Sequence, residues 1–307
     1  MSVNKTPLPR PVVGVLLKLG SVVLISSVAA CVKYLGPAIP AGETIFVRGL
    51  VSVALLALFA WRSNALRLLT TKSWRSHALR SLAGTASMFC WFVALTLIPF
   101  ADFTAISFTA PMFLTILAML FLGERIHRYR WTALAVGFVG VLIMIGPHLT
   151  FRGSSVGVVV ALGAAVFSAL AMVFLRSMSG AGGEHALTIT FYFSLTSMVV
   201  GGLTVFWGWP VPTPTQWLFI GLVGVLGVLG QLLLSWSYHY AEASTIAPLD
   251  YANLLLAVLL GYVFFDETPH LAIWIGAPLV IAAGSIILWR EYRRSAAPPV
   301  PLVAPNA

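Results

Sequence analysis

Charged residues are scarce in this sequence: Asp, Glu, Lys and Arg make up only 9% of its 307 residues. A soluble domain of this length could not cover its surface with so few charges. Hydrophobic residues make up 59% of the chain, and the mean hydropathy is +0.96. We therefore predict an integral membrane protein embedded in the lipid bilayer, because apolar runs of roughly 20 residues suffice to cross the hydrocarbon core.

Several kinds of functional site have no support in the sequence. The two cysteines, Cys31 and Cys90, lie in apolar runs, which argues against a disulfide framework. The six histidines lie at predicted helix ends or in loops without metal-ligand spacing, so we expect no metal and no other cofactor. No phosphate-binding glycine loop occurs, which excludes direct use of ATP. The net charge of +9 comes from bases scattered at helix ends, which excludes a nucleic-acid partner.

What the sequence does contain is an internal repeat with an offset of 143 residues. Glu267 minus Glu124 and Trp274 minus Trp131 both equal 143. Further pairs at this offset are Gly20 and Gly163, Lys33 and Arg176, Trp74 and Trp217, and Gly84 and Gly227. The alignment needs no gap, so we predict that the chain folds as two copies of one unit.

Each copy contains five candidate spans. In the first copy they are Val12–Tyr34, Gly42–Trp61, Trp74–Ile98, Ala101–Leu122 and Trp131–Pro147. In the second copy they are Val156–Met178, Ala186–Trp207, Gln216–Tyr240, Ala243–Phe265 and His270–Trp289. Because five is odd, the second copy must be inverted in the membrane. The predicted fold class is all-α integral membrane, with ten transmembrane helices as two inverted five-helix repeats.

The distribution of Lys and Arg predicts the orientation. If the N-terminus is inside, almost all bases outside the spans fall in inner loops and tails. We therefore expect a multi-pass protein of the cell (inner) membrane with both termini cytoplasmic. The predicted segments are a cytoplasmic lead (1–11), two repeats (12–150 and 151–290) and a proline-rich cytoplasmic tail (291–307).

The repeat carries motifs that resemble a known family. They are Ala94-Leu95 followed by Pro99, Phe108-Thr109-Ala110-Pro111, Gly123-Glu124-Arg125, Gly137-Phe138-Val139-Gly140, Ala247-Pro248-Leu249-Asp250-Tyr251, Gly261-Tyr262 and Trp289-Arg290-Glu291. With two inverted five-helix halves, they are similar to the drug/metabolite transporter superfamily, specifically its EamA-type ten-helix transporters. The second copy departs from the family pattern, with Asp266-Glu267 where Gly-Glu is usual.

The resemblance implies a secondary active transporter that works by alternating access. The expected substrate is a small organic metabolite, amino-acid-like, nucleoside-like or vitamin-like, with proton coupling as an option. The motifs Val32-Lys33-Tyr34, Phe46-Val47-Arg48 and Asp250-Tyr251 resemble carriers of S-adenosylmethionine, riboflavin or amino-acid-like metabolites. The alternatives are a lipid-modifying membrane enzyme, which would need clustered acid, His and Ser residues, and a non-transporting membrane subunit. We expect no enzymatic activity and no catalytic residues, and leave open whether the protein is a monomer or a homodimer.

Inverted repeats place a binding site near the membrane midplane, where the halves meet. Ser107 of the fourth span and Asp250 of the ninth are equivalent at the offset of 143. A charge at mid-helix costs about 2.5–3.5 kcal/mol on insertion scales. Asp250 is therefore either a cation or proton site with Tyr251 beside it, or a structural acid that caps freed backbone or pairs with a base.

Other polar residues inside or at the ends of spans carry similar alternatives. Arg48 is expected to bind a substrate carboxylate or phosphate, to pair with Asp102, or to snorkel to lipid phosphate. Lys33 is either an interfacial anchor or a substrate or gating residue. The candidate substrate-binding residues are Arg48, Trp91, Ser107, Phe108, Gln231, Tyr238, Asp250, Tyr251 and Asn253. The candidate coupling or gating residues are Lys33, Asp102 and Asp250. Glu124 and Glu267 are expected to cap neighbouring helix N-termini, with a coupling role as the alternative.

Overall fold

The structure is a computed structural model, and it describes residues 10–64, 70–71, 73–122, 132, 135–140, 142–143, 154–178, 184–240, 249, 252–268 and 271–295. All regular secondary structure in these ranges is helical. The predicted all-α class is therefore confirmed for this part of the chain. It follows from long apolar runs in which helices satisfy every backbone polar group internally.

The helices fall into two sets that correspond to the two copies of the repeat. The first set is α1 (Arg10–Leu35), α2 (Ala41–Arg62), α3 (Trp74–Leu97), α4 (Phe100–Ser107) and α5 (Ala110–Leu122). The second set is α6 (Ser154–Met178), α7 (Ala186–Leu203), α8 (Pro214–Tyr240), α9 (Ala252–Phe265) and α10 (Leu271–Ser295). Short 3₁₀ turns at Gly36–Ala38 and Thr204–Trp207 follow α1 and α7.

Seven segments of the described chain are long and apolar enough to cross a membrane. They are Val12–Leu35, Ala41–Arg62, Trp74–Leu97, Phe100–Phe121, Ser155–Leu175, Leu187–Trp207 and Pro214–Leu234. The shorter apolar helix α9 and the 25-residue helix α10 follow at the predicted ninth and tenth spans. About half of the predicted fifth span and the first part of the ninth lie outside the described residues.

The fourth span is broken, and our prediction of one continuous helix from Ala101 to Leu122 is wrong. The α-helical pattern ends at Ser107, where the amides of Phe108 and Thr109 bond to carbonyls three residues back, at 3.2 and 2.9 Å. Pro111 explains the break, because it has no amide to bond to Ser107 and is favourable only in the first turn of a new helix. The span therefore consists of α4 and α5, and the break falls among predicted substrate-binding residues.

The C-terminal helix also differs from the prediction. We predicted that the last span ends at Trp289 and that the tail covers residues 291–307, but α10 continues to Ser295. The extra segment, Arg290-Glu291-Tyr292-Arg293-Arg294, contains residues with good helix propensity. The first residues of the predicted tail are therefore a continuation of the helix.

The two halves meet through equivalent pairs of helices. The most extensive contacts are between α1 and α8, between α3 and α6, and between α2 and α7, and α4 packs on α9. The pair α1–α8 is antiparallel, because Gly20 lies against Leu233 and Tyr34 stacks on Phe219 with ring centroids 4.3 Å apart. These contacts bury much of the apolar core along the line between the halves.

Two hydrogen bonds show that the repeat in the sequence is also a repeat in space. Ser21 Oγ on α1 donates to the carbonyl of Gly230 on α8 at 2.8 Å, and Ser87 Oγ on α3 donates to the carbonyl of Ala164 on α6, also at 2.8 Å. Ala164 minus Ser21 and Gly230 minus Ser87 both equal 143. The same contact is therefore made twice. The helix that supplies the serine in one contact is equivalent to the helix that supplies the carbonyl in the other.

Candidate functional site

A charged side chain, that of Arg48 on α2, lies between α3 and α8. Its Nη1 donates to the thioether sulfur of Met88 on α3 at 2.6 Å. Its Nε lies 3.0 Å from the position that a Cβ on Gly227 would occupy. Gly227 of α8 therefore leaves room for the guanidinium, and a side chain at this position would force the Arg48 side chain to shift.

The position of the Arg48 side chain along the bundle follows from its neighbours. Gly227 is the midpoint of α8, since it lies 13 residues from both Pro214 and Tyr240. Val47, beside Arg48 in the sequence, packs against the small cluster of Leu35, Ile39 and Ile220. From Ile220 to Gly227 the helix rises about 10 Å. The Arg48 side chain therefore extends from its backbone toward the middle of the bundle, opposite to the direction that snorkelling to lipid phosphate requires.

The charge of Arg48 lacks an anionic partner within the described residues. Asp102, the predicted alternative partner, is buried on α4. A thioether is only a weak acceptor. A guanidinium at this depth is expected to be paired or to face a wet cavity. The geometry thus leaves Arg48 available to an anionic group that enters the bundle.

Aromatic rings continue from the Arg48 region to the broken span. Trp91, one turn after Met88 on α3, meets Phe103 of α4 edge-on with ring centroids 5.5 Å apart. Ser107 Oγ donates to the carbonyl of Phe103 at 2.9 Å, and Phe108 packs against the core at the break. The predicted site residues of the first half therefore follow one another from α2, through α3, to the end of α4. They are Arg48, Trp91, Ser107 and Phe108.

Asn253 brings the second half into the same region of the bundle. Its Oδ1 accepts a hydrogen bond of 2.5 Å from Ser26 Oγ on α1, which is buried. This contact crosses between the halves, because α9 belongs to the second set of helices and α1 to the first. Asn253, a predicted substrate-binding residue, therefore lies on the face of α9 that meets α1.

Lys33 and Glu267 form an ion pair at one end of the bundle, with Nζ 2.8 Å from Oε1. Lys33 Nζ also donates to the carbonyls of Leu95 and Ile98 at 3.0 and 2.9 Å. Glu267 Oε2 accepts from the amide of Phe100 at 2.8 Å. We call these contacts the Lys33–Glu267 clasp. The prediction that Glu267 caps a helix N-terminus is confirmed, since Phe100 is the first residue of α4.

Asp102 lies in the first turn of α4, where a carboxylate interacts favourably with the helix dipole. Our prediction missed a second buried acid, Glu43, in the first turn of α2. Its Oε2 is buried without a hydrogen-bond partner in the described part of the chain. The signal was an acid within the apolar run Ala41–Val47, which we had placed at the edge of the second span.

The four remaining predicted substrate-binding residues are Gln231, Tyr238, Asp250 and Tyr251. Asp250 and Tyr251 lie outside the described residues, and so does the side chain of Tyr238 on α8. Gln231 is exposed on α8. Among the described ranges, no group of three or more His, Cys, Asp or Glu residues could hold a metal ion.

A separate polar cluster lies at the opposite end of α3. Glu184, which precedes α7, accepts a 2.6 Å hydrogen bond from Thr71 Oγ1, and its Oε2 lies 3.6 Å from Nε2 of the buried His77. The hydrogen bond from Thr71 is the main reason that the pKa of Glu184 is lowered, and His77 adds to the effect. The cluster ties the loop before α7 to the start of α3.

Comparisons with known proteins agree with this architecture. The profile of the EamA-like transporter family matches residues 12–146 and 155–289. A solved crystal structure of a protein 19% identical in sequence aligns with a TM-score of 0.62, covering 92% of this chain and 99% of that one, which shows a shared fold. The two matched segments and the shared fold cover nearly the whole chain.

Curated relatives are transporters rather than enzymes. A riboflavin transporter of Rhizobium johnstonii is 32% identical over 208 residues, 68% of each chain. A pseudopaline exporter of Pseudomonas aeruginosa is 29% identical, with 88% of this chain and 94% of that protein aligned. An S-adenosylmethionine uptake transporter of Rickettsia bellii is 29% identical over 84% of this chain and 87% of its own length. The resemblance inferred from the sequence motifs is confirmed: the chain belongs to the EamA-like transporter family and is a multi-pass membrane transporter of small metabolites, not an enzyme.

Proposed function

We propose that this protein is a secondary active transporter that works by alternating access between two inverted halves of five spans each. The antiparallel packing of α1 on α8 and the repeated serine contacts support this arrangement. Substrate and coupling sites of inverted-repeat transporters lie where the halves meet, near the midplane. The proposed halves are residues 12–150 and 151–290, with both termini in the cytoplasm and the protein in the inner membrane.

The substrate is a small organic metabolite that carries an anionic group, and Arg48 binds that group. The observation that carries this proposal is the guanidinium at mid-depth, whose one hydrogen bond within the described chain goes to the sulfur of Met88. A carboxylate or phosphate would replace this weak acceptor with charge-assisted hydrogen bonds. Trp91 and Phe108 pack against the same core as Met88 and supply apolar surface on which a flat part of the solute would pack.

The relatives suggest which metabolites to try first. Their names specify riboflavin, pseudopaline and S-adenosylmethionine, and include both an exporter and an uptake transporter. We propose a solute of this metabolite class. Proton coupling through Asp250 and Asp102 belongs to the same proposal, because acids within spans are the residues that couple proton movement to transport.

The experiment compares ligand binding by variants of Arg48 and of a matched arginine. Arg48→Gln and Arg62→Gln remove the same charge from α2, one at mid-depth and the other at its exposed end. Purified protein is screened by thermal shift against metabolites, beginning with the relatives' substrates. We expect Arg48→Gln to weaken binding of the stabilising solute about 10- to 100-fold, in line with the loss of a charge-assisted hydrogen bond. Arg62→Gln should bind as the wild type does, and equal affinity of Arg48→Gln would refute the anion site.

A further inference from the structure

We propose that the Lys33–Glu267 clasp is a gate that closes one end of the transport pathway and must break in each transport cycle. This inference rests on the alternating-access function proposed above. The clasp joins the end of α1, the end of α3, the start of α4 and the segment that follows α9. It is therefore a polar contact between the two halves at an end of the bundle.

The chemistry of the clasp suits a contact that opens and closes. Both charged groups are mostly buried when joined, with 11% and 19% of the Lys33 and Glu267 side chains exposed. Each is also satisfied by backbone groups: two carbonyls for Lys33 and the Phe100 amide for Glu267. Because the pair lies at helix ends rather than at mid-depth, water can hydrate the separated charges. Both charges are thus hydrogen-bonded in the closed state, and neither is left buried and unpaired when the pair separates.

Opening the clasp would release α4 from α9. Glu267 bonds to its own half through the amide that donates to the Gly261 carbonyl, and to the first half through Phe100 and Lys33. α4 carries Phe103 and Ser107, which connect the clasp to the Arg48 region. Release of α4 would therefore uncover the central site from this end of the bundle.

The sequence repeat provides independent support. The offset of 143 that relates the two serine contacts in space also relates Lys33 to Arg176 and Glu267 to Glu124. In each of these two pairs of equivalent residues, both members carry a charge of the same sign. The side chains of Arg176 and Glu124 lie outside the described residues. The sequence thus assigns the same pair of charges to the opposite face, as a mechanism that closes the two ends in turn requires.

A native cysteine reports on the state of the clasp. Cys31 lies two residues before Lys33 on α1 and is only 8% exposed, in a core that also contains Phe100 of α4 and Ala257 of α9. Separation of α4 and α9 from α1 would expose its thiol. In a Cys90→Ser background, Cys31 is the sole thiol of the chain, because the sequence contains two cysteines.

The experiment measures how fast a membrane-impermeant maleimide labels Cys31 in vesicles of known orientation. We expect Glu267→Gln and Lys33→Met each to raise the labelling rate about tenfold from the face on which Lys33 lies, and the double variant to add nothing further. Lys33→Arg, which keeps the charge, should label far more slowly than Lys33→Met. Glu184→Gln is the control, because it removes an acid of the polar cluster at the other end of α3.

Unchanged labelling of Cys31 in both Glu267→Gln and Lys33→Met would overturn the gate. Faster labelling from both faces, or in Glu184→Gln as well, would also overturn it, because the effect would then be general loosening. If Glu267→Gln does not fold, Glu267→Asp supplies the same comparison with the charge kept and the reach shortened. Because the labelling assay requires no substrate, it tests the gate independently of the Arg48 site. Either hypothesis can be refuted without refuting the other.

Discussion

Gly49 of α2 lies directly against the backbone of Met198 on α7. A Cβ added at Gly49 would fall 2.8 Å from the amide nitrogen of Met198. Real Cβ atoms do not approach backbone so closely, so the two helices could not keep their present separation. The contact between α2 and α7, where equivalent helices of the two halves meet, therefore depends on this glycine.

We expect Gly49→Ala to destabilise the protein by about 1–3 kcal/mol, because overpacking at a helix contact forces the backbone to shift. Thermal unfolding in detergent measures the change. Gly221→Ala is the matched control, since no other described residue outside its own helix backbone has an atom within 4 Å of an added Cβ there. Ala is also favoured over Gly in a helix by about 0.5–1 kcal/mol. Equal stability of Gly49→Ala and the wild type would show that the helices do not approach as described.

The cluster around Glu184 predicts a dependence of stability on pH. The folded-state pKa of Glu184 is lowered, chiefly by the hydrogen bond from Thr71. A lowered pKa contributes stability that is present above the unfolded value of 4.5 and is lost as the pH falls through the folded value. We expect Thr71→Val to unfold at a lower temperature than the wild type at pH 7, since a net hydrogen bond contributes about 1 kcal/mol.

The difference in unfolding temperature between Thr71→Val and the wild type should shrink as the pH is lowered below 4.5. Protonation makes the Glu184 carboxyl group a weaker acceptor for the Thr71 hydroxyl. Unfolding temperatures measured from pH 7 to pH 3.5 provide the comparison, with the exposed Thr215→Val as control. A constant difference over this range would mean that Thr71 acts through packing and not through the ionised carboxylate.

Asp250 provides a prediction about coupling that comes from the sequence alone. Asp250→Asn keeps the size of the side chain and removes its charge. We expect this variant to fold with the wild-type unfolding temperature but to lose transport driven by a pH gradient, because the amide cannot exchange a proton. Flux in proteoliposomes with and without the gradient measures the effect. Undiminished gradient-driven flux would remove Asp250 from the mechanism.

The sequence predicted the repeat and most helices because both signals are carried along the chain itself. Apolar runs locate the spans, and the pairing of Gly20 with Gly163 needs no tertiary information. The break at Phe108 was not predicted. A proline such as Pro111 frees the carbonyl four residues before it, but whether the helix kinks or ends there depends on the contacts around it.

The polar contacts were predicted only in part. Lys33 was a gating candidate and Glu267 a helix cap, but their meeting was not predicted, because 234 residues separate them and the docking of the two halves brings them together. For Arg48 the sequence left three alternatives. The direction of its side chain depends on the space that Gly227 leaves on another helix, and a local sequence pattern cannot show such a space.

The most direct test of the central claim is solute counterflow in liposomes that contain only this protein. Vesicles loaded with the solute selected by thermal shift are diluted into buffer with a trace of the labelled solute, and uptake is followed without ATP or an ion gradient. We predict transient accumulation of label with the wild type and with Arg62→Gln, and none with Arg48→Gln, because an alternating-access carrier exchanges bound solute across the membrane. Counterflow by Arg48→Gln at the wild-type rate, or no exchange by folded wild-type protein that binds the solute, would contradict the account.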